Sequence, residues 1–207
     1  MARAAAVHGI RPKKSFASNA SPVISTRLEE MLGFRRALDD ATLVSELHDM
    51  RIAAKRLRYA LEIFETCFDG ARPLVKETTE IQEDLGDIHD LDVLAGALRT
   101  RLHALEVVVE DEAAAIMSGS GENTDKGKQI RRLLATHARD RRRLGLYGLI
   151  GDKVAERRRR YERFKRRWGS GRLDELAESL RRLTDADSAA EEEAQHVALE
   201  GAQGDVA

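Results

Sequence analysis

Cysteine, proline and aromatic residues are scarce in this chain of 207 residues, with one Cys, three Pro and 4% Phe, Trp and Tyr together. The lone thiol, Cys67, excludes a disulfide framework. No apolar run approaches the roughly 20 residues that a bilayer-spanning helix needs. Residues 1–22 are interrupted by His8, Arg11 and Lys13, so no secretory apolar core is read there. These absences set the expectation of a soluble chain in a reducing, cytoplasmic setting, with no membrane partner. Strand-forming signals are few, while Ala, Leu, Arg and Glu dominate, which points to an all-α protein.

Net charge is also lacking: 35 Lys and Arg against 36 Asp and Glu give a formal value of -1. The charges are nevertheless segregated. Lys126 to Arg172 holds eighteen basic residues and four acidic ones, whereas residues 185–207 hold seven acids and no Lys or Arg. A basic body with an acidic tail suggests a polyanionic partner, with the tail as a weak competitor for the same surface.

Periodicity and punctuation predict a loose N-terminal segment over 1–20, a helical domain over 21–184 and an acidic disordered tail over 185–207. A first helix starts near Ser21-Pro22, and a second starts near Thr42 or Ser45 and stops at Phe68-Asp69-Gly70. The third runs from about Pro73 to Met117, followed by the loop "SGSGENTDKG". A fourth helical region covers Lys128 to Trp168, with a break expected at "LGLYGLIGD", where three glycines crowd together. "GSG" ends it, and a short helix follows over 172–183. Four long amphipathic segments with short connections predict an antiparallel helical bundle.

The second helix carries an unusual stripe. At 100° per residue from His48, the residues Leu43, Leu47, Met50, Ala54, Leu57, Leu61 and Phe64 fall between about 160° and 260°, one continuous core face. His48, Arg51, Lys55, Arg58 and Tyr59 form a second line directly beside it, and Arg56 lies further round. A solvated flank whose stems cover the core edge is the plain interpretation. The length of the row, and its single interrupting acid, Glu62, favour a binding surface, because adjacent like charges repel unless an anion sits among them. In the fourth region His137 and Arg141 fall on the line of Ile130, Leu133, Leu134 and Leu144. Arg157 falls within the stripe of Ile150, Val154, Tyr161, Phe164 and Trp168. Asp140, Asp152 and Glu156 are too few nearby acids to neutralise these cations, and Gly86 is read equally as allowing close helix approach or as marking a mild helix irregularity.

"LHDMRIAAKRLRYALEIFE" resembles the signature helix of the CHAD family, the conserved-histidine α-helical domains. "IQEDLGDIHDLDVL" resembles that family's next helix, and "ERRRRYERFKRRW" its closing basic helix, so that the resemblance spans about residues 21–183. It implies a helical bundle with a basic groove that binds inorganic polyphosphate, has no catalytic residues, needs no cofactor or metal, and resides in the cytoplasm or at polyphosphate granules. His48, Arg51, Lys55, Arg56, Arg58 and Tyr59 match the signature positions, Gln82 and His89 the second motif, and Arg157 and Arg158 the basic run. Only one copy of the signature helix is found, so the second side of the groove is absent, degenerate or supplied by a homodimer.

Such a row suits a polymer of phosphates. Arg offers a planar fork, Lys a mobile charge and His a donor. The spacing i, i+3, i+7, i+10 from His48 to Arg58 gives a row of donors about 15 Å long at 1.5 Å per residue. Two rivals stand beside it. His48-Asp49 and His89-Asp90 would serve a metal-dependent phosphohydrolase, although Arg51 and Lys55 one turn away oppose a divalent cation. Non-specific nucleic-acid binding needs only the basic fourth region, without any recognised reading module. "GENTDKGKQ" departs from a phosphate-binding loop in its glycine spacing, and Gln129 stands where that loop has Ser or Thr.

Overall fold

The computed structural model of the protein describes residues 3–119 and 125–185. It is all-α: among the described residues there is no strand and there are six helices. These are α1 (Ala20–Leu32), α2 (Val44–Phe64), α3 (Ala71–Ser118), α4 (Lys126–Ala138), α5 (Arg141–Trp168) and α6 (residues 172–185). No helix among these residues is long and apolar enough to cross a membrane. The expected tail falls, from residue 186 on, outside the described residues. The chain divides into two compact units, one of residues up to His89 with those from Arg160 on, the other of Asp90–Arg159.

In the first unit the core forms where the apolar periodicity places it. Ile24, Leu28 and Met31 of α1 are buried with Leu47, Met50, Ala54, Leu57, Leu61 and Phe64 of α2. Ile81, Leu85 and Ile88 of α3 join them, with Tyr161, Phe164 and Trp168 of α5. Each such large side chain contributes about 1.5–3 kcal/mol by leaving water. Buried polar groups find partners: the Tyr161 hydroxyl donates to the carbonyls of Ala37 (3.2 Å) and Leu38 (2.9 Å), and the Thr78 hydroxyl to that of Leu74 (2.8 Å). Residues ahead of α1 also lie on this unit. The Ala5 amide donates to Glu30, Arg27 Nη2 donates to the Ala5 carbonyl (3.2 Å), and the Phe16 and Phe64 rings stand 4.6 Å apart.

Glycine punctuates two of the predicted stops. Gly70, after α2, and Gly171, between α5 and α6, have φ of 88° and 94°, which other residues rarely adopt. A Cβ on Gly169 would sit 2.6 Å from the Lys165 carbonyl oxygen, so the first glycine of "GSG" is required sterically.

The break expected at "LGLYGLIGD" is not there. The chain turns instead at Arg139-Asp140, and α5 runs unbroken through Gly145, Gly148 and Gly151. The Asp140 carboxylate accepts the Arg142 amide at 2.9 Å and its guanidinium at 2.9 Å, which starts α5. Arg142, by its side chain first and its amide second, holds the Asp140 carboxyl below its usual range. The start of α5 is fixed by a local cap, and each exposed helical glycine costs only about 1 kcal/mol, which no break at these positions recovers.

In the second unit Ala95, Leu102 and Val109 of α3 are buried, and no residue of α4 is. Leu134, Leu144 and Val154, read from periodicity as part of an apolar line, are exposed at 52%, 58% and 43%. The α5 stripe is a core stripe only from Tyr161 onward. The Arg157 guanidinium pairs with Asp92 (3.0 Å), Tyr147 donates to Glu106 (2.8 Å), and His137 contacts Glu112 (3.2 Å).

Candidate functional site

The α2 stripe stands beside the core face as the helical geometry requires. His48, Arg51 and Arg58 are half-buried, and Lys55 and Tyr59 are exposed. Core packing of Met50, Ala54, Leu57 and Leu61 fixes the side of α2 from which the row projects before any ligand arrives. Tyr59 sits within it as an aromatic platform: Arg58 Cζ lies 4.8 Å and Lys55 Nζ 5.5 Å from its ring centre.

A second line comes from α3. Gln82, Gly86 and His89 follow one another at i, i+4, i+7 and run alongside the α2 stripe in the opposite direction. His48 Nδ1 is 3.2 Å from His89 Nδ1, with ring centres 4.4 Å apart. A contact between two such nitrogens needs one donor and one acceptor, so at least one of the two Nδ1 atoms carries no proton while it persists. Three residues further along α2 and three back along α3, Arg51 Nε lies where a Cβ on Gly86 would be 3.6 Å away. Gly86 therefore faces the stem of Arg51. Nothing else lies within 4 Å of that Cβ position. This register sets Lys55 level with Gln82.

The charges of the stripe are under-compensated. Among the described residues neither Arg51 nor Lys55 takes part in an ion pair. Arg58 has Glu62 one turn on (3.1 Å), and Arg56, facing away from the row toward α1, lies 3.7 Å from Glu30. Arg51 Nε, Arg58 Nε and Gln82 Oε1 are buried with no hydrogen-bond partner among the described residues. A buried donor left unsatisfied costs about 1–3 kcal/mol, and more on a charged group, so two such donors on one row favour an acceptor arriving from outside.

The other flank of α3 is the reverse case, and it corrects the expectation that α5 lacks neutralising acids. Arg160 pairs with Asp87, and Arg167 pairs with both Glu80 and Asp84, the latter at 3.2 Å. Arg172 reaches Glu80 at 3.3 Å and Glu77 at 3.8 Å, and Asp84 also accepts the Trp168 indole N–H at 3.0 Å. The acids missed by sequence proximity lie on α3, far from these arginines in the chain. Their spacing, with 77, 80, 84 and 87 on one side of the Ile81–Leu85–Ile88 line, was the available signal.

Of the twelve sequence candidates, the first unit therefore holds His48, Arg51, Lys55, Arg56, Arg58, Tyr59, Gln82 and His89. Within it the α2 row and the α3 line come together, with Arg56 on another face. His137, Arg141, Arg157 and Arg158 belong to the second unit. There His137 and Arg157 have acidic neighbours, while Arg141 and Arg158 are exposed. Among the described residues no three of His, Cys, Asp and Glu are grouped so as to hold a metal ion.

Comparison with known proteins bears on the same region. The family model of the CHAD domain matches residues 3–99, a span containing α1, α2 and the first part of α3 with both motif lines. Residues from 100 on lie outside it. No curated protein and no solved structure matches the chain.

Proposed function

From residues 3–99 as CHAD-domain sequence, we propose that the protein binds inorganic polyphosphate along the α2 stripe and acts as a binding protein, not an enzyme. The observation that carries this reading is the contrast between the two flanks of α3. The arginines of α5 that face it have carboxylates, whereas Arg51 and Lys55 have none among the described residues. A chain of phosphates supplies closely spaced oxygens to a row of donors about 15 Å long, and it asks for no base reading. Arg51 and Arg58 each hold a fork toward it, Lys55 adds a mobile charge, and His48 extends the row. Gln82 Oε1 is an acceptor, suited to orienting a neighbouring cation rather than touching a phosphate oxygen. Residence at polyphosphate granules follows if the polymer is bound where it is stored.

Changing Arg51, Lys55 and Arg58 together to Ala tests this. Titration with long-chain polyphosphate should lose about tenfold or more in affinity per removed charge-assisted contact, with helicity by circular dichroism retained. Unchanged affinity would place the site elsewhere. Duplex DNA is the second arm: displacement of polyphosphate by DNA at equal phosphate concentration favours general polyanion binding instead.

A further inference from the structure

Helix α4 carries its charge without local compensation. It holds Lys126, Lys128, Arg131 and Arg132 and no Asp or Glu. At 100° per residue from Lys128, its half-buried positions Lys126, Ile130, Leu133 and His137 fall between about 140° and 200°. This side lies on α3, where Lys126 Nζ donates to the Met117 carbonyl (2.7 Å) and His137 Nε2 stands 3.2 Å from Glu112. Arg131, Lys128 and Arg132 fall between about 300° and 40°, on the opposite side, with only Ala135 among them, and all are exposed. Among the described residues Lys128 and Arg132 take part in no ion pair, and Arg131 has only Asp125, at 3.9 Å between two exposed groups. Arg139 and Arg141, exposed at the turn that follows and likewise in no ion pair among the described residues, lengthen the basic run.

Such a helix is weakly held by what surrounds it. None of its 13 residues is buried, and a helix of that length is marginal without an apolar face sealed in a core. Lys126 and Lys128 sit in its first turn, where the helix dipole favours anions, and Lys128 and Arg132 are like charges one turn apart. Both penalties are relieved when an anion lies along the outer face. We propose that this face is a second row for a chain of phosphates, so that the protein holds polyphosphate at two places, one in each compact unit. The ligand class rests on the reading of the α2 row as a polyphosphate site; the second row itself is carried by α4. Other anions fit less well. Ile130 and Leu133 are on the side that faces α3, which leaves Leu134 as the one large exposed apolar side chain of α4, too little to sink into an anionic membrane. From Lys126 to Arg143 there is no Phe, Tyr or Trp on which a base could stack. A molecule with two rows can hold two chains, or two stretches of one chain.

Hydrogen exchange of the full chain, with and without long-chain inorganic polyphosphate, separates the two rows. The amides of α4 should exchange about fivefold or more slowly with the polymer present. That gain should survive the joint change of Arg51, Lys55 and Arg58 to Ala, so it stands or falls apart from the α2 reading. It should disappear in Lys128→Gln with Arg131→Gln and Arg132→Gln, which keeps good helix formers on the face. Without polymer the glutamine variant should exchange these amides no faster than the wild type, since it lacks the repulsion; this separates lost binding from lost helix. Faster exchange there would mean that the cations hold α4 without any ligand, and overturns the proposal. So does unchanged exchange of α4 in the wild type, a gain that the glutamine variant keeps, or one that vanishes with the α2 substitutions. An equal gain with poly-glutamate overturns it too, as does one seen with anionic phospholipid vesicles or duplex DNA and not with polyphosphate.

Discussion

Arg51 and Arg167 flank the same helix with opposite fates. Arg167 is fixed by Glu80 and Asp84, and its charge is consumed in joining α5 to α3. Arg51 lies along Gly86 with a buried, unpartnered Nε and no carboxylate among the described residues. The sequence makes the Arg51 row legible, because spacing alone places it beside the core face. It hides the neutrality of Arg167, because the neutralising acids lie more than eighty positions away in the chain. Gly86 offers a sharp test at this scale. A methyl there meets Arg51 Nε at an ordinary contact distance of 3.6 Å. Gly86→Ala is therefore expected to fold, to gain up to about 1 kcal/mol from helix propensity in thermal denaturation, and to bind polyphosphate within about twofold of the wild type. A loss of stability would mean that α3 needs the missing side chain for a reason other than Arg51.

Among the elements, α2 follows its apolar period closely: of the residues predicted for its core face, those from Leu47 to Phe64 are buried and Leu43, just before the helix, is partly buried, while Arg56, placed further round, turns to Glu30 of α1. α5 departs from expectation at its glycines. Glycine count pointed to a break, but Asp140 caps a helix start just upstream, and a capped helix tolerates weak interior residues. Gly145, Gly148 and Gly151 each face open space, with nothing within 4 Å of an added Cβ. Gly148→Ala should accordingly raise stability by about 0.5–1 kcal/mol, seen as a higher midpoint in urea with an unchanged slope. A lower midpoint would show that this stretch needs glycine's backbone freedom. Hydrophobic periodicity read too much core into the same region, since Leu144 and Val154 carry the right spacing yet stay exposed. Spacing identifies a face but not whether anything covers it.

For the whole molecule, the near-zero net charge conceals a division of labour. Arg143, Arg157, Arg160 and Arg167 of α5 pair with acids of α3, so the excess that made 126–172 look like a polyanion surface is partly internal. Polyphosphate binding by the α2 row should therefore fall with salt as expected for a handful of released counterions, far fewer than the eighteen bases of that stretch. Removing residues 186–207 should raise polyphosphate affinity a few-fold at about 50 mM salt and leave it unchanged near 500 mM, because a tethered acidic segment competes only where screening is weak. Equal affinities at both ionic strengths would remove the tail from the binding equilibrium. The family resemblance was read from three helices over about residues 21–183, whereas the family model matches residues 3–99, which hold the first two of those motifs.

The carboxylate ladder on α3 has one more consequence. Asp87 and Glu80 act as brakes on cations already in place. Neutralising Asp87, whose side chain is half exposed, would remove one of these brakes without adding a single base. A lineage tuning such a surface has its dial on the acidic helix, and the arginines can stay untouched.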